Sequence, residues 1–516
     1  MAKPETQGNM SAITSVEDDR VLSHADRDSE IEAYAGITGT HIDDETNKKL
    51  FWTVNKRILA CMLGTYFCQS LDKGTLGFAS VMNIKVDANL QGQDYSWLGT
   101  ILYMGVLVGE YPTNLLLQRL PVSKYLSANV FCWGVVIACS AATHNFGSLM
   151  AVRFLLGIFE SCVQPAFIIM TSMWYTKQEQ SILTSLWYCM TGVQLMVGGL
   201  IAYGASHFQG HSLKSWQLLF LVLGCATCVW AVFIGWWLPD SPMKAKCFNE
   251  DQKRLMIERV RANETGIQNK TYKRYQMLET IKDPVIWCYV MLQVTSTLVI
   301  GGLGVFSNLI ISAFGFSYLQ TQLLNIAQGA VTIIVMVGGA WLVTWTNQTA
   351  IIMHLWTLPA IIGTAIIYSI PPSPTNKVGL LIAFYCTQFY LAEGNMIFSL
   401  ISRNVGGQTK KSTTLAMTFI GWAAGNMAAP QIFQETDAPR YQKGFTAHFC
   451  LYVLFNLFLI LLRVLLVRRN ISKRRDASTI VTGEREVIST NNEKIEHAHA
   501  FDDLTDKENP DFRYEL

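Results

Sequence analysis

Residues 216–238, WQLLFLVLGCATCVWAVFIGWWL, run for 23 positions without a charged side chain and stop at Pro239-Asp240-Ser241-Pro242. A bilayer core takes roughly 20 apolar residues as one helix, so this stretch reads as a membrane span. In lipid the backbone must satisfy its own hydrogen bonds, which makes each such span helical. Working outward, similar stretches stand at 58–81, 96–118, 123–142, 148–172 and 181–205 on the N-terminal side. On the C-terminal side they stand at 286–311, 320–344, 350–370, 378–402, 412–433 and 445–467. The sequence predicts an all-α membrane protein of twelve transmembrane helices in two six-helix bundles. The blocks 58–238 and 286–467 measure 181 and 182 residues, as in a doubled unit. They are flanked by an N-tail (1–57), a linker (239–285) and a C-tail (468–516).

Charge follows the same partition. The tails and linker hold 55 Lys, Arg, Asp and Glu in 153 positions; the two blocks hold 23 in 363. That split excludes an ordinary soluble enzyme, a coiled coil and a disordered scaffold. No basic, aromatic-interleaved stripe exists, so nucleic acid is no partner; the lipid bilayer is one. The first 47 residues are acidic, lack the apolar core of a signal peptide, and read as disordered, so the first span must act as the signal. With the N-terminus inside, 25 Lys and Arg near the spans fall inside and five outside, which places both termini in the cytoplasm. The sequons at Asn9, Asn263, Asn269, Asn347 and Asn470 then all face the cytoplasm, away from N-glycosylation. Asn249 to Glu264 reads as an amphipathic surface helix. Cys225 and Cys228 form a C-x-x-C inside an apolar span, read as two small helix positions; Gly301-Gly302-Leu303-Gly304 reads as a helix-packing site rather than a phosphate loop.

An ionisable residue inside a membrane helix costs roughly 3 kcal/mol or more and marks a functional site by default. Asp72 and Lys73 lie in the first span, Glu110 in the second, Arg153 and Glu160 in the fourth and Glu393 in the tenth. Arg153 and Glu160 are two turns apart on one helix face, with Gly157 between them. Glu160, Asp72 and Glu110 are the candidates for proton coupling, and Glu160, nearest mid-membrane, leads. Arg153 and Lys73 are the cations available to a substrate anion. Gln69, Gln164, Gln194, Glu393 and Asn426 are candidates to line a central cavity with them, together with Tyr188, Gln388 and Tyr390. A static ion-pair network between helices explains the same charges and is not exclusive of a switch.

Leu71-Asp72-Lys73, Glu110-x-Pro112-x-Asn114-Leu-Leu-Leu and Arg153-Phe-Leu-Leu-Gly157-x-x-Glu160-x-x-x-x-Pro165 resemble the anion:cation symporter branch of the major facilitator superfamily. So do Gly198-Gly199-Leu-Ile-Ala-Tyr203-Gly204 and Leu238-Pro239-Asp240-Ser241-Pro242. Glu258-Arg-Val-Arg261-Ala-Asn263-Glu-Thr265-Gly266 in the linker is similar to the fungal allantoate permease subgroup. Asn404-Val-Gly-Gly407-x-Thr409-Lys410-Lys411 and Gly425-Asn426…Pro430-Gln-x-Phe433 extend the likeness over about residues 50–470. Glu393 departs from it, standing where small residues are usual.

The resemblance implies a proton-coupled permease that takes up a small organic anion such as allantoate, ureidosuccinate or nicotinate. A monomer in the plasma membrane is expected, with the proton gradient as energy source and no cofactor. Export of an acidic metabolite, or nutrient sensing without transport, fits the same fold. No metal-ligand cluster, catalytic triad or nucleotide loop stands in the sequence, so an enzyme is not expected.

Overall fold

A computed structural model of the chain describes residues 43–208, 213–243, 245, 247–261, 273–346, 348–484, 504–509 and 512–515. Among them there is no β-strand. The first half holds α1 (Asp44–Val54), a π-turn (Asn55–Leu59), α2 (Ala60–Ser80), α3 (Ile84–Asp87), α4 (Asp94–Arg119), α5 (Val122–Ser140), α6 (Phe146–Glu160), α7 (Val163–Trp174), α8 (Lys177–Ser206) and α9 (Ser215–Trp237). The linker contributes α10 (Glu250–Arg261) and α11 (Arg274–Lys282). The second half holds α12 (Pro284–Ala313), α13 (Tyr318–Thr346), α14 (Thr349–Ser369), α15 (Lys377–Thr387), a 3-10 turn (Gln388–Ala392), α16 (Glu393–Asn404), α17 (Gln408–Ile432) and α18 (Gln442–Glu484).

These helices fall on all twelve expected spans. The fourth is built from α6 and α7, interrupted at Ser161-Cys162, and the tenth from α15, the 3-10 turn and α16. Among the described residues, eight spans are long and apolar enough to cross a membrane by length and composition. The remaining four, α2, α4, α15–α16 and α17, carry the charged and amide side chains that a uniformly apolar span lacks. The N-tail boundary at residue 57 needs correction, because residues 44–57 are helical and continue into α2. Leu50, Val54 and Ile58, four apart, bury one face of this helix at 2%, 1% and 1% exposure. The charges of Lys48, Lys49, Lys56 and Arg57 conceal that stripe in a composition count. The expected linker helix is α10; the sequons at Asn9, Asn263, Asn269 and Asn347 lie outside the described residues.

Small residues set the closest helix crossings. A Cβ on Gly157 would lie 2.0 Å from the Leu102 carbonyl oxygen, and one on Gly105 2.2 Å from that of Phe154, so α4 and α6 pack backbone to backbone. Gly134 and Gly224 do the same for α5 and α9. Gly301 and Gly302 press against Asn426, Ala429 and Phe433 of α17, the packing role read for that glycine cluster. Each half then fills its own interior, the first around Trp133, Trp174 and Phe220, the second around Tyr289, Phe384 and Tyr452.

The two halves meet away from the linker. Tyr95 Oη donates to Val305 O at 2.9 Å, Thr100 Oγ1 to Met427 O at 2.8 Å, and Gln322 Nε2 to Phe78 O at 3.0 Å. Gly192 of α8 and Gly329 of α13 face each other across the halves, a Cβ on Gly329 falling 2.4 Å from the Gly192 carbonyl oxygen. The cross-half hydrogen bonds gather toward the face opposite α10 and α11, which closes that side.

Candidate functional site

Between the halves lies a cavity of about 290 Å³. Along α2, Tyr66, Gln69, Ser70, Lys73, Gly74 and Gly77 line it, spaced 3, 1, 3, 1 and 3 as on one face of an α-helix, and Leu76 and Phe78 join them near its end. Arg153 enters from α6, Gln164 from α7, and Tyr188 and Gln194 from α8. The second half supplies Gln293, Asn308, Asn325, Gln328, Gln388, Tyr390, Asn395 and Asn426. Lys73 and Arg153 are the charged residues among the described lining, so the wall carries positive charge only.

Behind that wall, Glu160 is fully buried with Lys73 Nζ 3.3 Å from its carboxylate. The contact is an ion pair by distance, and neither carboxylate oxygen receives an aligned hydrogen bond. Gln69 Nε2 donates to the Glu160 backbone carbonyl at 3.3 Å, tying α2 to the end of α6. Arg153 is 3% exposed, its guanidinium 5.6 Å from the Phe220 ring and its Nη2 without a hydrogen-bond partner. No carboxylate lies within 4 Å of it among the described residues. The face-sharing expected of Arg153 and Glu160 thus yields no ion pair between them; Lys73 of the neighbouring helix takes Glu160 instead.

The other expected residues are placed as follows. Asp72, one position from Lys73, turns into the first bundle, where Trp133 Nε1 and Thr227 Oγ1 donate to its Oδ2 at 2.8 and 3.2 Å. Glu110 stands apart from the cavity and accepts from Asn114 Nδ2 at 3.5 Å. Glu393 is wholly buried with neither oxygen hydrogen-bonded, and its chain neighbours Gly394 and Asn395, rather than Glu393 itself, line the cavity. Gln69, Gln164, Gln194 and Asn426 lie on the cavity wall. The amides of α12 and α13 were not among the residues expected to line it. Asn325 Nδ2 donates to Asn308 Oδ1 at 2.8 Å, and Gln328 Nε2 to Gln388 Oε1 at 3.2 Å. Lone amides in otherwise apolar spans are the signal that would have found them.

A doubled twelve-helix fold around a central polar cavity is the architecture of one large transporter group, and residues 62–430 match it. The chain belongs to the Major Facilitator Superfamily. It is 30% identical to the allantoate permease of Saccharomyces cerevisiae over 92% of this chain and 88% of that one. It is 36% identical to the thiamine pathway transporter of the same yeast over 79% and 77%. The fold matches a bacterial homologue of the human lysosomal transporter Spinster, solved inward-facing and occupied, at a TM-score of 0.61. That match has 14% identity over 79% of this chain and 96% of the other. A D-xylose–proton symporter matches at a TM-score of 0.59, with 14% identity over 78% and 96%. These relatives are transporters and not enzymes, and this chain is a multi-pass membrane transporter of the superfamily.

Proposed function

We propose that this transporter is a proton-coupled permease of the anion:cation symporter branch that brings a small organic anion into the cell. The observation that carries this reading is the pairing, in one cavity, of two cations with a buried carboxylate behind them. An inward-negative membrane potential opposes anion entry by about 2.3 kcal/mol per charge per 100 mV. Co-transport of one proton cancels that term and a second makes uptake electrogenic. Burial favours the neutral form of any carboxylate, and a nearby ammonium favours the charged form. A substrate carboxylate that draws Lys73 away from Glu160 removes that ammonium, so substrate arrival and proton uptake at Glu160 are linked. Arg153, with no carboxylate in direct contact among the described residues, serves as the second contact and offers a planar two-pronged donor. The amides of the second half suit the carbonyl and ureido groups of acids like allantoate, the substrate for which one relative is named.

On this reading the linker face is cytoplasmic, both termini lie inside, and the protein works as a monomer in the plasma membrane. The 25-to-5 bias of Lys and Arg supports the orientation. Uptake of labelled allantoate, ureidosuccinate and nicotinate by cells lacking their own permeases tests the proposal. Acid-stimulated uptake of at least one is expected; uptake of none of these or any other carboxylate, with the protein at the surface, would refute it.

A further inference from the structure

The end of the chain returns to the body of the protein. Residues 504–509 and 512–515 lie on the linker face of the second half, against α11, the turn between α16 and α17, and α18. Asp506 places a carboxylate oxygen 2.6 Å from the fully buried Lys410 ammonium and accepts from the Tyr514 hydroxyl at 2.7 Å. Tyr514 exchanges two main-chain hydrogen bonds with the Asn470 carboxamide, at 2.9 and 2.8 Å. Glu515 makes the same exchange with Asn404, at 2.7 and 3.0 Å. Two carboxamides thus read an extended backbone while a buried cation reads an acidic side chain, the division of labour of a peptide-binding site. The fit is close: a Cβ on Gly406 would fall 2.8 Å from the Asp506 nitrogen.

The position matters as much as the fit. Asn395 and Phe398 of α16 and Trp422 and Asn426 of α17 line the cavity, and both helices run on past it to the turn that joins them at the linker-side rim of the second half. Transporters of doubled architecture alternate by rocking one half against the other around a central site. In this structure the opposite side is closed, and the next state must close the linker-side rim. A segment clamped on the α16–α17 turn occupies that rim.

We propose that the linker face of the second half is a binding site for an acidic, aromatic peptide, that this chain's own C-terminal segment is its resident ligand, and that the docked segment restrains closure of the linker-side rim. The inference is independent of which solute is carried.

The test uses the purified full-length protein with a protease site inserted between residues 490 and 500. After cleavage the segment should stay with the protein through gel filtration. Asp506→Asn should speed its release at least tenfold. Excess synthetic peptide of residues 501–516 should displace the cleaved segment, and the same peptide carrying D506N should not. This competition needs no folded variant. Rim closure is read by maleimide labelling of Asn395→Cys, quantified at that residue by mass spectrometry. Labelling should slow at least twofold once the segment has been released and washed away. Equal release of the segment with and without Asp506→Asn, or displacement by both peptides alike, would overturn the site. Labelling unchanged by release would overturn the restraint.

Discussion

Arg153 and Lys73 divide between them what a single cation would have to do. Lys73 is a point charge on a flexible stem, already engaged with Glu160, whereas Arg153 is rigid, buried and without a carboxylate partner. Arg153→Lys keeps the charge and loses the fork. Transport should fall at least tenfold at unchanged surface level, measured as initial uptake rate against surface biotinylation. Near-normal uptake would reduce Arg153 to a point charge. The charged residues at the cavity stood out because a charge inside an apolar run is costly and needs a role, structural or functional; the same rule also picked out Glu110 and Glu393, which lie off the cavity wall. Which cation pairs with Glu160 was not legible, since it depends on how α2 and α6 pack and not on spacing within either. Of the amide-rich second wall, Gln388 and Asn426 were named, and Gln293, Asn308, Asn325, Gln328 and Asn395 were not.

At the scale of helices, Gly157 is the position where α4 and α6 come closest. Gly157→Val forces two backbones apart beside both Arg153 and Glu160. It should cost about 1–3 kcal/mol, read as a lowered melting temperature in detergent with transport lost in proportion. The docked C-terminal segment has its own pH window. Burial works against the Asp283 carboxyl charge, but the hydrogen bond and charge of Arg469, with Lys410 and Lys507 beside it, hold its pKa down at about 2. Burial likewise works against the Lys410 ammonium, and Asp506, Glu279 and Asp283 outweigh it, raising its pKa. A depressed carboxyl stabilises the folded arrangement above its unfolded pKa, about 3.9, and loses that contribution as pH falls toward 2. A raised lysine does so below its unfolded value, about 10.4, and loses it as pH rises further. Asp283 keeps Arg469 and Lys410 when the segment leaves, whereas Lys410 loses Asp506, so retention of the cleaved segment should be flat through neutral pH and weaken as pH rises past about 10. A step near pH 6 or 7 would mean that another group governs docking. Eight of the helices were legible from apolar run length, and the other four had to be read through the polar side chains they carry. The helical start at Asp44 was not legible, because four basic residues hide its buried stripe.

At the scale of the whole molecule, near-equal block lengths already implied two halves, and the structure adds that they close together away from the linker. Which face looks into the cytoplasm rests on the charge bias. A glycosylation sequon inserted near Lys214 should acquire glycan while Asn263 stays bare; glycan at Asn263 would invert the topology. The central claim is that a proton drives the anion inward through Glu160. Its most direct measurement is accumulation of a labelled transported carboxylate in proteoliposomes, with the membrane potential clamped and the outside acidified. The account predicts that the wild-type protein concentrates the anion only under the inward proton gradient. Glu160→Gln, which mimics the protonated acid, should still exchange labelled for unlabelled anion but no longer concentrate it. Accumulation by Glu160→Gln with an unchanged pH profile would contradict it.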